Sequence, residues 1–172
     1  NQAWPSLLQD RLNKQDFSIR VVNAGISGDT TAGGAERLPK LLRKYAPEIV
    51  VIELGGNDGL RGTSINSIES NLRSMIEVAL GRGAKILLIG MQLPPNYGNA
   101  YTTSFQNLFP ELASEWVWTG SGFKGEFIYI ISVDTTTCYG WTSNSPEYNN
   151  TWGTFIEGSI GNSNERNRKF IC

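Results

Sequence analysis

Glu48-Ile-Val-Val-Ile-Glu-Leu-Gly-Gly-Asn-Asp-Gly59 decides how the chain folds. Glu48–Leu54 is nearly continuous in branched apolar residues, with none of the polar alternation of a half-solvated strand, so it reads as a strand covered on both faces. Two glycines end it abruptly, and Gly55–Ser64 reads as a loop. Downstream, Ile65, Ile68, Leu72, Met75, Ile76, Ala79 and Leu80 recur at helical spacing, and Gly81 and Gly83 stop that helix. Ala84–Met91 is a second buried strand, Leu93–Ala100 a loop, and Phe105, Leu108, Phe109 and Leu112 mark an amphipathic helix. Upstream, Pro5 suits a first helical turn whose Trp4, Leu7, Leu8 and Leu12 share a face. Ser18–Asn23 reads as a strand and Ala24–Thr31 as a Gly/Thr-rich turn. A helix with Leu38, Leu41, Leu42 and Tyr45 follows, in which Pro39 makes either a bend or a second start.

Strands alternating with helices specify βαβ units, hence an α/β fold with a parallel sheet and helices on both faces. In such sheets ligands bind beyond the carboxyl ends of the strands. Three loops meet that condition: Ala24–Thr31, Gly55–Ser64 and Leu93–Ala100.

The composition changes near Glu115. All fifteen leucines and all nine alanines lie in residues 1–115, whereas 116–172 contain neither and hold four of the five tryptophans. Leu and Ala are among the commonest residues of ordinary domains, so two regions are expected, 1–115 and a divergent tail, 116–172. The net charge of −1 offers no basic stripe for nucleic acid. The buried apolar runs are too short to span a bilayer. Cys138 and Cys172 match no metal or redox spacing.

Each loop has a structural and a chemical reading. Asn57 could simply populate a Gly-rich turn, or its amide could face a developing oxyanion. The N–H of Gly28 could be a second such donor, while Asp29 or Thr30 suits a helix N-cap. Ser27 is a poor candidate nucleophile, because the chain contains no histidine to activate it. Leu93-Pro-Pro-Asn-Tyr-Gly98 is either a stiffened connection or the wall of an acyl pocket.

Taken together, Asn23-Ala-Gly-Ile-Ser-Gly-Asp-Thr-Thr31, Glu53-Leu-Gly-Gly-Asn-Asp-Gly-Leu-Arg-Gly62 and Leu93–Gly98, with Ala3-Trp-Pro5 before them and Phe109-Pro-Glu-Leu-Ala113 after, resemble the SGNH (GDSL-type) hydrolases. The match is nearest to their bacterial arylesterase and thioesterase I/lysophospholipase branch. This resemblance implies a flavodoxin-like three-layer α/β/α sandwich and hydrolysis of small acyl esters or thioesters by a serine, with no metal or organic cofactor. It makes Gly28 and Asn57 the oxyanion hole. The loop that shapes substrate access becomes Gly59, Leu60, Arg61 and Gly62, and Asn96 and Tyr97 line the pocket. A periplasmic or secreted bacterial location goes with it, any signal region lying upstream of Asn1.

Two blocks of the family pattern have no match. The Gly-Asp-Ser-Leu nucleophile block would end a first strand, central in the 2-1-3-4-5 sheet order, between the strands at 18–23 and 48–54. Without it those strands are expected to be left unpaired or forced together. The Asp-x-x-His block has no histidine, and Asp134 is the only aspartate after Asp58. One explanation is that residues beyond about 115 are read in a shifted frame. Codons for Tyr139-Gly-Trp-Thr-Ser143 allow Met-Asp-Gly-His in another frame, although its Asp-x-His spacing is one residue short. The other is a foreign extension. The chain is then an incomplete esterase, an inactive product, or a module that binds acyl ligands without turning them over.

Overall fold

The computed structural model describes residues 4–117, 127–134, 137–140 and 168–171. Among these residues the elements run in the order α1 (Trp4–Lys14), β1 (Ile19–Val22), α2 (Thr31–Tyr45), β2 (Ile49–Ile52), α3 (Gly56–Leu60), α4 (Ile65–Leu80), β3 (Lys85–Gly90), α5 (Asn99–Val117), β4 (Phe127–Asp134), β5 (Thr137–Gly140) and β6 (Arg168–Ile171). The strands form one sheet of order β1-β6-β2-β3-β4-β5. All its pairings are parallel except β4 with β5.

The apolar strands occupy the middle of the sheet, as their unbroken runs require. All four residues of β2 are buried. On one face Val50, Ile52, Ile86 and Leu88 pack with Leu38 and Leu42 of α2, Ile68, Leu72, Met75 and Ile76 of α4, and Phe105, Leu108, Phe109 and Leu112 of α5. On the other, Leu8 and Leu12 of α1 pack with Ile19 and Ile49. Helices thus cover both faces.

Side-chain caps start two of the helices. The Thr30 side chain caps α2 by accepting from Gly33 N. Pro39 sits inside α2, which runs through it unbroken. Ser64 caps α4 by accepting from Ser67 N, and α4 ends at Gly81. Arg73 of α4 donates 2.8 and 2.9 Å hydrogen bonds to Glu69 on its own helix and to Glu115 on α5. That pairing lowers the Glu115 carboxyl below its ordinary range and outweighs the opposing effect of burial.

Two expectations are revised. The stretch after Leu54 is not a plain loop, because Gly56–Leu60 makes a short helix. The last helix of the first region begins at Asn99 rather than near Phe105, directly after a single 3-10 turn at Pro95–Tyr97.

The interval between β1 and β2 is neither empty nor closed up. β6 lies in it, parallel to both, with Val22 and Val50 level with Ile171 on either side. Unpaired strand edges are templates for further pairing, and a four-residue segment from the end of the chain satisfies part of both. β4, β5 and β6 all come from beyond residue 115, so the sheet crosses the break in composition. Cys138 lies within β5; Cys172 and the Tyr139–Ser143 stretch beyond Gly140 lie outside the described residues. No helix among the described residues is long and apolar enough to cross a membrane.

Candidate active site

The loops after β1 and β2 meet at the carboxyl edge of the sheet and are tied together by hydrogen bonds. Gly55, immediately before α3, has φ 123° and ψ −23°. Side chains rarely adopt that conformation, and a Cβ there would lie 3.3 Å from Phe109 Cζ. This turn swings Asn57 out of the strand direction and over the loop that follows β1. There the Asn57 amide nitrogen donates to Asp29 O at 2.8 Å. An amide carries two N–H groups, so one anchors the side chain while the second remains to donate. Arg61, at the end of α3, donates to Gly28 O at 3.3 Å. Gly28 itself has φ 77° and is exposed.

Beneath this pair lies a buried polar network. Asp58, 2% exposed, accepts from Thr31 N at 2.9 Å and from Thr31 Oγ1 at 2.7 Å. Asn71 of α4 donates to Thr31 Oγ1 at 3.0 Å. Tyr101 of α5 donates to Thr63 O at 2.6 Å and closes the far end of the loop. Burial, then the charge of Asp58, raises the Tyr101 hydroxyl above its ordinary pKa. Asp58, Thr31, Asn71 and Tyr101 were not singled out from sequence. Their only trace there is an Asp beside Asn57 and a Thr at the end of the preceding turn.

Asp29 anchors the other side. It takes a hydrogen bond from Thr30 N and an ion pair from Arg37, whose second terminal nitrogen reaches Ala24 O at 3.2 Å. Burial works to raise the Asp29 carboxyl, but the bonds from Arg37 and Thr30 and the charge of Arg37 outweigh it and hold the pKa below 3.8. A depressed carboxylate stabilises the fold above its unfolded pKa, and that contribution is lost as pH falls through the folded value. Acidification below about pH 4 therefore erodes stability here. Arg37→Met is expected to flatten this acid limb, measured as urea midpoints from pH 3 to pH 7.

Gly59 is buried against Leu93 and Phe105, Leu60 is exposed and Gly62 turns with φ 69°. Asn96 and Tyr97 sit on the exposed 3-10 turn, with Tyr97 at 37% exposure and Leu60 at 49%. Ile26, 58% exposed, stands two residues before Gly28. A cavity of about 110 Å³ lies elsewhere, between the carboxyl halves of β1 and β2.

A turn that forces φ 123° cannot accept a side chain without strain. Gly55→Ala is expected to cost about 1–3 kcal/mol, read from chemical denaturation, and to shift the Asn57 amide resonances.

The chain is thus an α/β sheet protein with Gly28 and Asn57 on adjoining loops at the carboxyl edge of the sheet. The model of the GDSL-like lipase/acylhydrolase family matches residues 1–122, and the chain belongs to that family. Among its relatives, esterase TesA of Pseudomonas aeruginosa is 52% identical over 115 residues, covering 67% of this chain and 57% of that protein. Thioesterase 1/protease 1/lysophospholipase L1 of Escherichia coli K12 is 44% identical over 128 residues, covering 74% and 60%. The crystal structure of TesA superposes with a TM-score of 0.64 over 66% of this chain and 63% of that one. The psychrotrophic esterase EstA from Pseudoalteromonas does so with 0.65 at 33% identity, covering 74% and 66%. The chain thus spans somewhat under two thirds of the length of the curated relatives it matches.

Proposed function

We propose that this chain carries the oxyanion-stabilising part of a carboxylic-ester or thioester hydrolase, with Gly28 N–H and the free N–H of Asn57 as the donors. The observation that supports this most directly is the Asn57–Asp29 bond, which fixes the asparagine amide on the Gly28 loop before any substrate arrives. Donors already in position lose nothing to reorganisation as negative charge develops on the carbonyl oxygen. In this reading Arg61 holds the Gly28 peptide in place, Gly59, Leu60 and Gly62 shape access, and Asn96 and Tyr97 face the acyl group.

The 172 residues contain no histidine, and a serine hydroxyl without a base is a weak nucleophile at neutral pH. The chain by itself is expected not to hydrolyse a short p-nitrophenyl ester above a protein-free blank. Turnover abolished by Asn57→Ala would overturn the inactive reading and leave the oxyanion assignment standing. Turnover unaffected by Asn57→Ala would overturn both. For residues beyond about 115 we favour a shifted reading frame. The encoding DNA tests this: no histidine codon in the alternative frame removes it.

A further inference from the structure

We infer that the side-chain amide of Gln9 stands in for a strand residue on the outer edge of β1 and keeps that edge from pairing with a second copy of this chain. The inference stands on the fold and is independent of the oxyanion assignment.

β1 ends the sheet, and its only strand partner among the described residues is β6. Successive residues of a strand turn their peptide groups to opposite edges. Gln9 of α1 donates to Ile19 O at 2.8 Å and accepts from Val21 N at 2.7 Å. Ile19 and Val21 thus face outward, and Arg20 and Val22 face β6. An N–H given to residue 19 and a C=O offered to residue 21 are the two bonds by which a residue of a parallel neighbour would bridge Arg20. One carboxamide supplies both. A third outward group, Ile19 N, donates to Phe17 O at 2.9 Å.

The amide is held in this position from its own helix. Leu8 and Leu12 of α1 are buried with Ile19 and Ile49, which lays the helix against β1. One turn beyond Gln9, Asn13 Oδ1 accepts the second N–H of the amide at 2.9 Å. Both N–H groups and the oxygen of Gln9 are therefore engaged. Turning the amide over would set donor against donor at Val21 and acceptor against acceptor at Ile19.

The edge has reason to be closed. Ile19-Arg-Val-Val22 is β-branched at three of four positions and carries one charge, a composition that favours strand pairing. An unpaired edge of that kind is a template for another chain. Two copies present the same edge, so they can pair antiparallel about a two-fold axis, each offering its Ile19 and Val21 groups to the other. Gln9 reaches those groups from within the molecule and loses no translational freedom in doing so, whereas a second copy must.

The test compares the full chain with Gln9→Ala, which removes both bonds and keeps a good helix former in α1. Sedimentation velocity is expected to show a species of twice the wild-type mass in Gln9→Ala as protein approaches about 1 mM. Val21 N–H exchange is expected to be about tenfold or more faster in dilute Gln9→Ala than in the wild type, and to slow again as the larger species forms. Gln9→Ala/Val21→Pro separates edge pairing from a general loss of stability. Proline at 21 removes an N–H that points away from β6, so the inner ladder keeps its bonds, and the double variant is expected to return to the wild-type mass. No larger species in Gln9→Ala, or one that survives Val21→Pro, would overturn the inference. The wild type supplies a check that needs no variant: its Val21 N–H is expected to be protected at every protein concentration. Free exchange there, or protection that grows with concentration, would overturn the inference as well.

Discussion

Phe109→Ala is expected to lower the free energy of unfolding by about 3–5 kcal/mol, the usual cost of removing a fully buried aromatic ring. Phe109 is completely buried and meets Phe105 edge-to-face, with ring centroids 5.3 Å apart and planes at 77°. The loss includes the transfer of the ring, the void it leaves and the quadrupole contact with Phe105. Its neighbours limit how far the void can collapse, since Phe105, Leu108 and Leu112 hang from the same helix and Ile68 and Leu72 belong to α4. A domain with a total stability of about 5–15 kcal/mol cannot absorb this easily. The measurement is a urea titration, where a fall in midpoint at unchanged slope reports stability alone. A cost below about 1 kcal/mol, the range of a volume-conserving swap, would mean that α5 does not pack against the sheet as described. The effect should also reach the site, because the Phe109 ring lies beneath Gly55, whose turn presents Asn57.

The parts of the fold legible in the sequence are those set by local pattern. Strands at 18–23, 48–54 and 84–91 are found at 19–22, 49–52 and 85–90, and the last two are the buried ones, because their branched apolar runs match only one environment. The helix at 65–80 is plain for the same reason, with Ser64 before it and Gly81 after. What long-range contact decides was not legible. Asn99–Ser104 has no apolar periodicity of its own, and it becomes helical as the first turns of α5, with Tyr101 reaching Thr63. Phe127–Val133 is an apolar run that its Leu-free surroundings disguised, and it pairs with β3 as β4. Arg168–Ile171 carries two charges in four residues and no strand alternation, so only the interval between β1 and β2 makes it a strand. The site divides in the same way. Asn57 and Gly28 stand out from sequence because glycine-flanked positions at strand ends are few. The groups that hold them, Asp58 with Thr31 and Asn71 and Asp29 with Arg37, are ordinary residues until folding brings them together.

Asp58→Ala is expected to cost about 2–4 kcal/mol, on the scale of hydrogen bonds to a charged group. The carboxylate accepts from both the main-chain and side-chain donors of Thr31, which is itself fully buried. Truncation leaves both Thr31 donors without a partner in a dry setting, and each unmade bond carries a desolvation penalty. Two effects act in opposite directions. The mutant no longer buries a charge, which reduces the net loss. However, Thr31 is the first residue of α2, where a carboxylate favours the exposed N–H groups and the helix dipole, and that benefit is lost as well. The unmade bonds are the larger contribution, so the sign is destabilising. Asp58→Asn separates the effects, because its amide oxygen can still accept from Thr31 N while its NH₂ meets Thr31 Oγ1, which already accepts from Asn71. Its cost should therefore be smaller than that of Asp58→Ala and should arise mainly at Oγ1. Equal urea midpoints for the two variants would show that charge, not bonding to Thr31, stabilises the site. A second reading follows the Asn57 amide by NMR. If the Asp58–Thr31 clamp positions the loop, both variants shift the Asn57 resonances, whereas a destabilising change on α4 remote from the site, such as Ala79→Gly, leaves them in place.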